Sequence, residues 1–108
     1  MREHVSRSAP DRLNINSMRF LWDAKKARSN LRKHGVSFEE AATCFDDPNG
    51  CYLRNDAPSY EDRLILIGCS SRSRLPFVVH AEVGRAAIRI VSARKASAAQ
   101  RKIYEGLD

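Results

Sequence analysis

The chain has 108 residues, 43% of them hydrophobic and 30% charged, which suits one folded domain with one core and a well solvated surface and argues against a chain disordered throughout. Lys and Arg number 19 against 13 Asp and Glu, giving a formal charge of +6 that favours phosphate, an anionic membrane or an acidic protein as partner. No apolar run approaches the roughly 20 residues that span a bilayer, and Cys44, Cys51 and Cys69 form no CxxC pair, so a disulfide scaffold or zinc site is excluded and the thiols read as reduced hydrophobes.

Residues 1–17 are polar, contain Pro10 and lack the apolar stretch of a secretory signal. They are expected to be a poorly ordered extension, with the domain running over 18–108. Arg19 to Trp22 is strand-like. Asp23 is a good N-cap, Ala24, Ala27 and Leu31 recur at helical spacing, and Gly35 sits where a helix ends, which predicts a helix over 24–34. Ser37 and Glu40 have the spacing of a capping box for a second helix, whose buried face is Phe38, Ala41, Ala42 and Phe45. Asp46 to Gly50 is a turn; its two acids read as turn and cap residues rather than metal ligands.

The period then changes. Cys51 to Asn55 is a short strand. Arg63 to Cys69 is an apolar strand, and a loop over 70–74 leads to a strand over 75–82. Pro76, which cannot donate to a ladder, belongs at that strand's start or on an edge. A turn at Gly84-Arg85 precedes the last strand, over 86–93, with Ile88 and Ile90 on one face and Arg89 and Val91 on the other. Ser97 and Gln100 repeat the capping-box spacing and open a final helix, with Ala99 and Ile103 as its buried pair. The expected fold is α+β: a mostly antiparallel sheet of four to five strands, two N-terminal helices and one C-terminal helix.

Phe20, Trp22, Asp23, Lys26, Asn30, Lys33, His34, Gly35, Val36, Ser37, Phe38, Glu40 and Ala41 fit the pattern F-x-W-D-x-x-K-x-x-x-N-x-x-K-H-G-V-S-F-x-E-A, which resembles the opening of the BrnT toxin family. Arg63 with Ile67-Gly68, Val78 to His80, and Ile88 to Ala96 followed by Arg101 and Tyr104-Glu105 are similar to later family blocks. Leu21 stands where an acidic residue is common, and residues 1–17 have no counterpart. The resemblance implies a RelE-like fold and a cytoplasmic, metal-independent endoribonuclease that needs no cofactor and arrests growth. It also implies a cognate, BrnA-like ribbon-helix-helix antitoxin, with operator DNA bound only through that antitoxin and no membrane partner.

Metal-free RNA cleavage needs a base for the 2′-OH, cations around the phosphorane and an acid for the leaving oxygen. Arginine supplies a planar fork for phosphate, and histidine, with an ordinary pKa of ~6.5, supplies proton transfer. Arg63, Arg89 and Arg94 are the expected phosphate and transition-state binders, with His34 or His80 moving the proton. Lys26 and Lys33 share one helix face with Asn30 and would hold RNA, with Lys95 at the last strand's exit. Trp22 would stack on a base or pack in the core. The alternative function is a non-catalytic module that uses the same basic surface to bind RNA or an antitoxin.

Overall fold

The computed structural model describes residues 18–55 and 62–106; the expected extension over 1–17 lies outside the described residues. Helix α1 (Ala24–His34) starts at Asp23, whose Oδ1 accepts the Lys26 N–H at 3.0 Å. It stops at Gly35, where φ is +70° and the N–H donates to Leu31 O, a left-handed cap that a Cβ would disfavour. Helix α2 (Phe38–Thr43) continues into a 3-10 turn over Cys44–Asp46. The Ser37 Oγ accepts the Glu40 N–H at 3.0 Å, which is the first half of the expected capping box. The second half is replaced, because the Glu40 carboxylate turns toward Arg74.

Five strands follow in sheet order β1-β5-β4-β3-β2: β1 (Arg19–Leu21), β2 (Cys51–Asn55), β3 (Arg63–Ile67), β4 (Pro76–Val83) and β5 (Ala87–Lys95). Strands β2 to β5 form an antiparallel meander, whereas β1 pairs with β5 in parallel, so the sheet is mixed. Pro76 opens β4, the place a residue without an N–H can occupy. Helix α3 (Ala98–Glu105) begins at Ser97 with both halves of a capping box to Gln100. Among the described residues no helix is long and apolar enough to cross a membrane.

The sheet has two differently dressed faces. On one, Phe38, Ala41, Cys44 and Phe45 pack against Tyr52, Leu66, Val78, Ile88, Ile90 and Ala93. On the other, Cys51, Leu53, Ile65, Ile67 and Leu75 meet Ile103 and Tyr104 of α3. Two apolar expectations are corrected. Ala99 is exposed, and Tyr104 joins Ile103 as the docking pair. Ala24 is exposed and Leu31 is 50% exposed; the α1 face that meets the sheet carries Ala27 and the buried Asn30 instead.

Asn30 explains that shift. Strand β1 reaches only as far as Arg89 along β5, leaving the edge at Ala93 without a neighbouring strand. The Asn30 amide takes that place: its Nδ2 donates to Ala93 O at 2.7 Å, and its Oδ1 accepts the Ala93 N–H at 3.1 Å. Nδ2 also donates to Val36 O at 3.0 Å. One side chain thus satisfies both backbone groups of a buried edge residue and ties α1 to β5.

Candidate active site

Register places the predicted arginines. Arg63 of β3 pairs with Ala81 of β4, and Ala81 pairs with Arg89 of β5. The row runs Leu21, Arg89, Ala81, Arg63, Asn55 across the sheet, so the two arginines point the same way on either side of one methyl. Ala81 is 1% exposed; long arginine stems are well suited to covering a small residue in this position. The Arg63 Nε is buried, whereas Arg89 is exposed.

Arg94 reaches the same face through an irregularity that alternation cannot foresee. Counted by twos from Arg89, position 94 falls on the opposite side. The register, however, passes from His80–Ile90 to Val79–Ser92 and skips Val91. That bulge inserts one residue and turns Ser92 and Arg94 to the side of Arg89 and Arg63. The Arg94 guanidinium lies over the Phe77 ring, 4.4 Å from its centroid. Among the described residues, the rows through Arg89, Ser92 and Arg94 contain no Asp or Glu. This half of the face is therefore basic and partly apolar.

The α1 cations lie elsewhere. Lys26 and His34 sit one turn before and after Asn30 on the helix, and both are exposed. They flank the clamp on Ala93, whose next neighbour is Arg94, so α1 lines the open edge of β5 rather than the arginine face. Lys33 and Lys95 are exposed near the same end. The expected strip of Lys26, Asn30 and Lys33 is corrected at its centre, because Asn30 is spent on backbone and has no free group for RNA.

His80 and Trp22 occupy packing positions. His80 is 1% exposed, edge-on to Phe45 at 4.8 Å and to Tyr52 at 6.2 Å. Its Nδ1 is 3.4 Å from Val78 O. Burial drives its pKa down to about 4 against a weaker pull from that carbonyl, so the ring is neutral and screened from any phosphate on the surface. It lies on the face covered by α2, opposite the arginines. Trp22 packs edge-on against Phe38 at 6.0 Å, as part of the core margin.

Two polar hubs were not legible as such. Glu40 is buried; its carboxylate accepts from Arg74 through both oxygens and from Ser70 Oγ at 2.7 Å. The Arg74 Nη2 also donates to Gly35 O at 2.9 Å. The hydrogen bond from Arg74 holds the Glu40 pKa below its ordinary value despite burial. This ties the 70–74 loop to α2 and the end of α1. Asp47 is the second hub. Its Oδ1 accepts the Asn49 N–H at 2.9 Å, and its Oδ2 accepts both the Cys69 N–H and the Tyr104 hydroxyl at 2.7 Å. Burial, and then Asp47, raise the Tyr104 pKa. Burial pushes Cys44 and Tyr52 up to about 12, so neither is a nucleophile near neutral pH. Among the described residues no group of three or more His, Cys, Asp or Glu side chains is placed to hold a metal ion.

Residues 22–100 match the family model of the ribonuclease toxin BrnT of type II toxin–antitoxin systems. No curated protein matches the chain. Among solved structures, the crystal structure of the Brucella abortus ribonuclease toxin BrnT is similar at 28% identity, covering 74% of this chain and 97% of that one, with a TM-score of 0.54. With most of its length inside that match, the chain belongs to the BrnT family of ribonuclease toxins of type II toxin–antitoxin systems.

Proposed function

We propose that this toxin is a metal-independent endoribonuclease of RelE-like architecture that takes the scissile phosphate between Arg63 and Arg89. The observation that carries the reading is the row in which these two arginines flank Ala81 on one face of the sheet. Their strands lie one apart, so the stems start roughly 10 Å from each other, a span that two long side chains can close around one phosphate. Planar guanidinium donors in fixed positions stabilise the extra charge of the phosphorane more than that of the bound diester, which is what lowers a barrier. Arg94 extends the cationic path. His34, exposed beside the β5 edge, serves proton transfer, and Lys26, Lys33 and Lys95 hold the RNA backbone. His80 and Trp22 build the core.

The partner on this reading is a cytoplasmic ribbon-helix-helix antitoxin that covers the basic face and carries the complex to operator DNA. The test is to induce the chain alone and with the short reading frame beside its gene, following growth and RNA integrity. Induction alone should stop growth with loss of RNA, and the neighbour should restore both. Purified toxin in EDTA should leave 2′,3′-cyclic phosphate ends or the 3′-phosphate formed from them. Abolition of cutting by EDTA would contradict metal independence. Salt-sensitive binding without cut ends would instead make the chain a non-catalytic basic module.

A further inference from the structure

Beyond the arginine row, this sheet face carries the Phe77–Arg94 pair, which is built unlike a simple phosphate contact. The guanidinium rests over an aromatic ring at 4.4 Å. Among the described residues no carboxylate pairs with it. Its backbone is fixed on one side by the Asn30 clamp on Ala93 and on the other strand by the pairing of Arg94 with Phe77. From Phe77 to Ala81 is four residues of β4, roughly 13 Å along the sheet, and the intervening row is Val79 and Ser92. A flat cation held on a ring thus stands at a set distance from the proposed phosphate position, across a surface of one apolar and one hydroxyl side chain.

A guanidinium with one face on a ring has its other face suited to a second flat π-system, and RNA-binding proteins stack unpaired bases on such planes. The order already imposed on Arg94 means that a base arriving there costs little further side-chain entropy. A duplex cannot use the platform without flipping a base out of its stack. Resting on the ribonuclease reading, we propose that Phe77 and Arg94 form a base-stacking subsite for one unpaired nucleotide near the scissile phosphate, so that this toxin takes single-stranded RNA. Arg94 is then a specificity-determining residue rather than a third phosphate clamp.

The test uses the full chain and a labelled oligoribonucleotide made uncuttable by 2′-O-methyl groups, so that binding is read without cleavage. Affinities by fluorescence anisotropy are compared for the single strand, its duplex, and a series with one abasic position moved along the strand. Wild type should prefer the single strand. Arg94→Lys, which keeps charge and loses the plane, and Phe77→Leu should each weaken single-strand binding by about fivefold to hundredfold, the range of one stacked base. The exposed Arg28→Ala should change it far less. One abasic position should cost wild type the same factor and cost Arg94→Lys almost nothing more. Equal binding by wild type and Arg94→Lys on intact and abasic strands, or preference for the duplex, would overturn the subsite. If that result comes with normal cleavage by wild type, the ribonuclease reading survives it; if wild type neither binds nor cuts RNA, both fail. Circular dichroism confirms that each variant is folded.

Discussion

Asn30 and His80 show how single polar side chains in the interior are made tolerable in opposite ways. Asn30 spends its amide on three backbone bonds. Replacing it by alanine leaves Ala93 and Val36 groups unsatisfied in a buried place, at a cost of about 2–4 kcal/mol. Asn30→Asp should be no rescue, because a carboxylate can accept from the Ala93 N–H but cannot donate to either carbonyl. Urea unfolding of both variants checks this, and an aspartate variant as stable as wild type would refute the clamp. His80 is instead kept neutral. Its value in the folded chain, about 4, lies below the ordinary ~6.5, so the unfolded chain takes up the proton first. Stability is therefore full above about pH 6.5 and falls as pH drops toward 4, by about 2 kcal/mol at pH 5. His80→Leu should flatten that fall between pH 7 and pH 5, a window that lies above the ordinary range of Glu40. An unchanged slope would show that another group titrates there.

At the scale of elements, the helices and most strands are written locally. Asp23, Ser37 and Ser97 each accept the N–H three residues on, and Gly35 supplies the left-handed stop, so caps and breakers in the sequence fix where helices begin and where α1 ends. Pro76 fixes the start of β4 in the same way. The bulge at Val91 has no such local mark. It follows from how β4 and β5 align over their full length, and alternation alone would set Arg94 on the face opposite Arg63 and Arg89. Leu31 misled for a related reason: apolar spacing names a helix face, but the unfilled edge of β5 selects Asn30 as the residue that must face inward. The roles of Glu40 and Asp47 depend on partners 34 and 57 positions away, beyond any motif. Helix α3 depends on one of these, since none of its residues is fully buried and Tyr104 is bound to Asp47. Tyr104→Phe should cost about 1 kcal/mol, roughly 5 °C in Tm for a domain of this size. Amide exchange should speed up in α3 and not in α1. Unchanged exchange in α3 would mean that Ile103 and the apolar contact alone hold the helix.

For the whole molecule, the basic excess is divided between two surfaces that composition alone cannot separate. Arg63, Arg89 and Arg94 stand on one sheet face, while Lys26, Lys33 and His34 stand on α1 along the β5 edge. RNA that follows both would release counterions at each, so binding should weaken linearly in log–log form with salt. Removing Arg63 and Arg89 together should lower that slope by about 0.7, the value for the one phosphate they share on a single strand. A slope untouched by the double variant would place the phosphates elsewhere. The two histidines are parted by the same architecture: the sheet lies between His80 and the arginines, whereas His34 stands at its edge. Nothing in the spacing of either residue distinguishes them, because burial is decided by which strands and helices meet.

The most direct measurement is single-turnover cleavage of a short RNA by wild type and by the Arg63→Ala, Arg89→Ala double variant, with saturating enzyme and matched thermal stability. The two guanidinium groups are held to act on the phosphorane, and losing one preorganised donor typically costs about a hundredfold in rate. A fall of at least about a hundredfold is expected for the pair. A folded double variant that cuts at the wild-type rate would contradict it.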